Sequence, residues 1–238
     1  DSPHQTLPGT IHSAAEEINR AGGEAVPLQC DIRDEEAITA AVKKGAELMG
    51  GIDILINNAG ISMRALVSEV SIQTLQSVMD INFWGSVYCT KAALSSIQAN
   101  KGVIVGVSSI AGYRGLPGRS GYSASKFALN GWLEALKTEL YGSGTHVMWV
   151  CPGFTSSNIR NAALNKNAQA QGESPMDEGS MMSAQDCATH IINAIEKRKR
   201  ILVLTFTGKR TVFMNKYFPA WADKLVHRFF FKEGVLVK

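Results

Sequence analysis

The chain has 238 residues, 45% hydrophobic and 19% charged, with a net charge of +3. That suits one α/β domain or two small ones with a sizeable core, and it excludes a disordered chain. Residues 197–238 carry eleven Lys/Arg against two Asp/Glu, a local charge of +9 that leaves −6 for the rest; a mildly acidic body with a basic tail is not the surface of a nucleic-acid binder, so no nucleic-acid partner is expected.

In chain order, "AVPLQC" (25–30) predicts a short strand and 34–50 a helix capped by Asp34. "IDILIN" (52–57) predicts a buried strand and 70–97 one long helix with its apolar face inward. "GVIVGVS" (102–108) predicts a strand, 122–141 a helix and "THVMWVC" (145–151) a strand. Residues 156–182 are polar and rich in Gly, Ser and Asn, which predicts a mobile loop or lid. A helix capped by Ser183 (183–199) and a strand "RILVLTF" (200–206) follow. Apolar strands alternating with helices predict a parallel sheet covered on both faces. That is a three-layer, doubly wound, Rossmann-like α/β fold whose ligands bind at the carboxyl ends of the strands. The expected division is an α/β domain over 1–206 and a basic, aromatic extension over 207–238.

Cys30, Cys89, Cys151 and Cys187 are far apart and form no C-x-x-C pattern. They read as reduced, mostly buried thiols in a reducing compartment, and no metal ligand set is expected. No apolar run is long enough for a bilayer span and no signal-peptide pattern is present, so the expected location is cytoplasmic.

Four short stretches fall near the chemistry: "NNAG" (57–60), "DIN" (80–82), "VSSIAG" (107–112) and "PGF" (152–154). Tyr122 follows Ser109 by thirteen residues and precedes Lys126 by four, one helical turn. Alone, the Tyr–Lys pair reads as an ordinary surface pair, Ser108 and Ser109 as the end of a strand, Asn82 as a polar residue disturbing its helix, and Asn57 and Asn58 as turn residues. Together they fit proton exchange at an alcohol or carbonyl oxygen. A free phenol has a pKa of about 10, and a neighbouring ammonium favours the phenolate.

This combination resembles the short-chain dehydrogenase/reductase family, from about residue 25 to the strand near 205. The resemblance implies an NAD(P)-dependent oxidoreductase acting on a secondary alcohol or its ketone or aldehyde, with NADP slightly preferred over NAD. Tyr122 would be the general acid/base, Lys126 would lower its pKa and bond the nicotinamide ribose, Ser109 would hold the substrate oxygen, and Asn82 would fix a water. Cofactor contacts would come from Asp31 and Ile32 at the adenine and from Asn58, Ala59 and Gly60 under its ribose. Pro152 and Gly153 would lie beneath the nicotinamide, with the Thr155 backbone at its carboxamide and Tyr122 and Lys126 beside it. Asp31 also fits a turn or helix cap, although Asp34 suits that role better.

The family's glycine-rich turn, T-G-x-x-x-G-x-G, is not in the sequence. The expectation is a shortened record lacking the first strand, first helix and second strand; the competing reading is a catalytically silent binding or scaffold protein. Phe213, Tyr217, Phe218, Trp221, Leu225, Phe229 and Phe230 recur at near-helical spacings among Lys and Arg. Three readings fit them: a segment on an anionic membrane, a pocket wall and dimer contact, or a helix packed on the body. The aromatic content suggests a bulky apolar small-molecule substrate, and a homodimer or homotetramer is expected.

Overall fold

The computed structural model describes residues 9–174 and 176–237. Four parallel strands form the central sheet in sequential order: β1 (Ile54–Asn57), β2 (Val103–Val107), β3 (His146–Cys151) and β4 (Ile201–Val203). The alternation of side chains along each strand decides what packs where. On one face Ile104, Val147, Trp149 and Cys151 meet α4 (Gly85–Ala99) and α5 (Ser120–Glu139) through Ala93, Ile97, Leu129 and Leu133. On the other face Val103, Val105, Met148 and Val150 meet α6 (Ala184–Glu196) through Cys187, Ala194 and Ile195. Helices on both faces make the chain a three-layer, Rossmann-like α/β fold. Gly106 lets α5 approach β2 closely, since a Cβ there would stand 2.3 Å from Leu133 Cδ1.

The helix starts follow their caps. Thr10 caps α1 (Ile11–Arg20), Asp34 caps α2 (Glu35–Met49), Ser71 caps α3 (Ile72–Met79) and Ser183 caps α6, each side chain accepting a first-turn N–H.

Four expectations need correcting. Residues 25–30 form no strand. β1 pairs only with β2 among the described residues, so this segment has no ladder to join, and Pro27 has no N–H to give one. The single helix expected over 70–97 is broken by a π-turn at Asp80–Trp84 between α3 and α4. The last strand covers only 201–203, and Phe206 already begins α7 (Phe206–Tyr217). Cys30 is exposed and Cys89 partly so, whereas Cys151 and Cys187 are buried; all four are free.

After α7, Pro219 stands at the first position of α8 (Pro219–Phe230), where its missing N–H costs nothing. A short hairpin closes the chain, β5 (Phe231–Lys232) against β6 (Val235–Leu236). Arg114 holds this arm to the body, donating to Asn215 Oδ1 at 3.0 Å and Asp223 Oδ1 at 2.6 Å. No helix among the described residues is long and apolar enough to cross a membrane.

Candidate active site

The carboxyl ends of β2 and β3, the start of α5 and one side of the α7–α8 arm surround a cleft of about 720 Å³. Asn58, Gly60, Ser109, Tyr122, Lys126, Pro152, Gly153 and Thr155 all line it. Ser109 follows the end of β2, where Ser108 N still donates to Val150 O at 2.8 Å, and it caps a short 3-10 turn, Ile110–Gly112, through Oγ. Tyr122 sits in the first turn of α5, is 9% exposed and lines the same cleft as Ser109. Lys126, one turn on and 4% exposed, lies with Nζ 5.7 Å from the Tyr122 ring centroid and donates to Val107 O at 2.8 Å.

Asn82 stands directly behind the cleft and is fully buried. Its Oδ1 accepts from Ile61 N at 2.8 Å, and its Nδ2 donates to Ile61 O and to Ser125 Oγ, both at 2.9 Å. Ser125 Oγ in turn donates to Tyr122 O at 2.8 Å. The π-turn presents Asn82 to this network, a common use of a single wide turn inside a helix. The asparagine thereby couples the loop after β1 to the part of α5 between Tyr122 and Lys126.

The electrostatics differ from the sequence expectation. Burial is the largest influence on Tyr122 and pushes its phenol up; the polar influence of the Ser109 hydroxyl and then the Arg119 charge pull the other way without prevailing. Burial likewise holds the Lys126 amine down, at about 8. Desolvation thus outweighs the expected effect of the ammonium on the phenol. The cations whose charges favour the phenolate are Arg119 and then Arg160, which the sequence reading passed over; for Arg119 its position three residues before Tyr122 was the only signal available. Beneath the site, burial pushes the Cys151 thiol up to about 12, so it is a neutral packing group at pH 7.

Besides Asn82 behind it, three predicted site residues lie outside the lining. Asp31 is exposed and binds Arg33 through both carboxylate oxygens, which holds its carboxyl at about 2. Ile32 packs on the π-turn end of α4, so close that a Cβ on Gly85 would stand 2.6 Å from Ile32 Cγ1. Ala59 is exposed.

The 156–182 loop is tied across the cleft mouth. Met63 bridges to Leu164, Thr155 bridges to Met182, and Arg160 is ion-paired with Glu178 and donates to Thr155 O at 2.7 Å. The α7–α8 arm supplies the facing wall, including Met214, Leu225 and Phe229, with Phe229 stacked 6.0 Å from Phe154. This is the pocket-wall reading of the tail; even so, Phe206, Phe213, Tyr217, Phe218 and Trp221 remain more than half exposed on the arm.

A parallel α/β sheet with a Ser–Tyr–Lys constellation at its carboxyl edge defines a class of protein, and comparison with known proteins agrees. Residues 5–168 match the family described as short chain dehydrogenase. The chain belongs to the short-chain dehydrogenase/reductase family. It is 33% identical over 191 residues to the "Dehydrogenase/reductase SDR family member 7B" of Mus musculus, covering 79% of this chain and 59% of that protein. The chain thus spans about three-fifths of the curated relatives' length. Among solved structures it resembles a short-chain dehydrogenase/reductase from Burkholderia phymatum in complex with NAD (TM-score 0.77, 21% identity, 89% of this chain and 82% of that one). It also resembles a short-chain dehydrogenase from Burkholderia cenocepacia in complex with NADP (TM-score 0.71, 21% identity, 84% and 78%).

Proposed function

We propose that the chain carries the catalytic centre of an NAD(P)-dependent oxidoreductase that interconverts a secondary alcohol and its ketone or aldehyde. One observation carries this reading: Ser109 and Tyr122 line the same cleft, with Lys126 Nζ one turn along the same helix and 5.7 Å from the Tyr122 ring centroid. The nicotinamide end of the cofactor fits the residues present. Gly60 leaves room where a Cβ would stand 3.2 Å from Asn82 Oδ1 and 3.5 Å from Lys126 Nζ, and Gly153 has no space for one beside Thr205. The cofactor supplies the hydride when bound.

The chain's own residues handle the oxygen and the proton. Ser109 donates to the substrate oxygen as charge develops on it, and Tyr122 exchanges the proton with that oxygen. A phenol pushed up by burial is protonated at neutral pH, which equips Tyr122 to act first as an acid, in the direction of carbonyl reduction. Lys126 would hold the nicotinamide ribose and re-protonate Tyr122, with a water fixed at Asn82 linking Lys126 to solvent. Asn58 and Gly60 form the floor under the adenosine ribose, and Pro152, Gly153 and Thr155 meet the nicotinamide.

NADH and NADPH fluorescence on mixing tests the reading, together with single-turnover reduction of an apolar ketone. Tyr122→Phe is expected to keep nucleotide binding and to lose roughly 10²–10⁴-fold in turnover. Full turnover by that variant removes the assignment.

Two assembly readings accompany the function. Trp84 stacked on Tyr88, with exposed Phe127 on the neighbouring helix, supports a homodimer or homotetramer through α4 and α5, which light scattering decides. The exposed Phe213, Tyr217, Phe218 and Trp221 beside Lys216 and Lys224 support peripheral contact with an anionic membrane. Co-sedimentation with phosphatidylserine vesicles at low salt tests that contact.

A further inference from the structure

The cleft around Tyr122 is lined by four cations, Lys126, Arg119, Arg160 and Arg210, and by no aspartate or glutamate. Three have local explanations. Lys126 binds Val107 O, Arg160 is paired with Glu178, and Arg210 is exposed on α7. Arg119 differs. Its Nε is buried without a hydrogen-bond partner, and no carboxylate among the described residues pairs with it. In the same lining Ser62 is 3% exposed, and its Oγ has no partner either.

A small backbone braid brings the two together. Leu164 N donates to Ser62 O at 2.9 Å, Arg64 N to Leu164 O at 2.8 Å and Ala65 N to Gly118 O at 2.9 Å, and Ala65 bridges to Arg119. Residues 62–65 are thereby laid between the loop and the start of α5. Along α5, Arg119 is almost one turn before Tyr122 and Lys126 one turn after it, so the guanidinium and the ammonium flank the phenol from opposite ends. Lys126 binds Val107 O at the end of β2, where the cofactor reading puts the ribose, whereas the Arg119 backbone bridges to Ala65 and its side chain shares the cleft lining with Ser62.

A partly buried guanidinium with no counter-charge is costly, and a buried hydroxyl with no partner adds to the cost. The strain is visible at Arg119, whose pKa is lowered chiefly by burial, with Arg160 and Arg64 adding to the effect and Tyr122 opposing it. An incoming anion relieves both groups at once. Beyond them the wall turns apolar, through Leu116 and Ile159 on the body and Leu225 and Phe229 on α8.

We propose that the substrate handled at Tyr122 carries an anionic head, a carboxylate or a phosphate, held by Arg119 and Ser62, on an apolar chain that lies along Leu116, Ile159, Leu225 and Phe229. The inference rests on the reading of Tyr122 as the proton-transfer group and names the class of substrate brought to it.

Calorimetric titration of the full chain with decanoate, decyl phosphate and decanol tests the proposal without turnover. Decanoate or decyl phosphate is expected to bind roughly tenfold or more tightly than decanol, and the tighter of the two identifies the head group. Arg119→Met should bring the ratio close to one, Arg119→Lys should keep part of it, and Ser62→Ala should reduce it severalfold. Three results overturn the inference: no preference for either anion, a preference that survives in Arg119→Met, or a preference abolished by saturating NADPH. The last would assign the cation to the cofactor phosphates. Failure of NADPH to bind while the anion preference stands would remove the oxidoreductase reading alone.

Discussion

Asn82 and Ile61 exchange two hydrogen bonds across the base of the cleft, the amide oxygen accepting from Ile61 N at 2.8 Å and the amide nitrogen donating to Ile61 O at 2.9 Å. A side chain here imitates a neighbouring strand and satisfies a loop backbone that has no ladder of its own. Replacing Asn82 with alanine leaves both Ile61 groups unpaired in a closed environment. The expected loss is about 2–4 kcal/mol of stability, read as a lowered urea midpoint. Asn82→Asp sets an acceptor against Ile61 O and buries an unpaired charge, so it should destabilise at least as much as Asn82→Ala. If Asn82→Ala unfolds at the parental midpoint, this pair contributes nothing.

Gly153 and Thr205 form a second close pair. A Cβ on Gly153 would stand 2.2 Å from Thr205 Oγ1, the atom that caps α7 by accepting from Gly208 N at 3.0 Å. Thr205 itself has φ of 63°, a backbone region that strains a β-branched residue. Gly153→Ala is expected to destabilise by about 1–3 kcal/mol through overpacking. Adding Thr205→Gly should restore much of that loss, since glycine removes the clash and suits the positive φ. A double variant no more stable than Gly153→Ala would show that the clash is not the cause.

The Arg160–Glu178 pair makes the loop sensitive to acid. The Arg160 hydrogen bonds hold the Glu178 carboxyl at about 2 against an ordinary 4.5. A depressed carboxyl stabilises the folded loop above pH 4.5, and that contribution is lost as pH falls towards 2. Proteolysis within 156–182 should therefore accelerate between pH 4.5 and 3. In Glu178→Gln it should be faster at neutral pH and flatter across that range. An acid-independent cleavage rate in the parent chain would remove the pair as the loop's tether.

Lys126 should give a slope of the same sign at alkaline pH. Burial holds its amine at about 8 against an ordinary 10.5, so the folded chain binds its proton less well than the unfolded chain does. Below pH 8 the buried ammonium opposes folding; as pH rises from 8 to 10.5 that penalty fades, by about 3 kcal/mol in total. The difference in unfolding free energy between the parent and Lys126→Met should change by this order across that window. A pH-independent difference would mean that the ammonium is better solvated than its burial implies.

Removing Arg119 should raise the Tyr122 pKa further, because its charge is one of the influences holding the phenol down. Ultraviolet difference titration of Arg119→Met against Tyr122→Phe should show the Tyr122 transition moved to higher pH. An unmoved transition would place the guanidinium too far away to act on the phenol.

Much of the site was legible in the sequence because its signals are local. The turn between Tyr122 and Lys126, the thirteen-residue step from Ser109 and the strand ends at "NNAG" and "PGF" are properties of chain spacing, and the helix caps at Asp34 and Ser183 follow from side chains that reach only their own first turn. The strand expected over 25–30 failed for a non-local reason, since a strand exists only where a partner offers its hydrogen bonds. The π-turn at Asn82 arises where an amide is committed to Ile61 and Ser125, residues 21 and 43 positions away.

The sequence by itself determined which groups could exchange a proton, because helical and strand spacing fix their order and direction. Only the tertiary structure decided their charge states, the wall built by α7 and α8 and the gathering of the unpartnered Arg119 Nε and Ser62 Oγ in one cleft lining. Desolvation depends on everything packed around a group, and the segments that bury Tyr122, Lys126 and Arg119 come from distant parts of the chain.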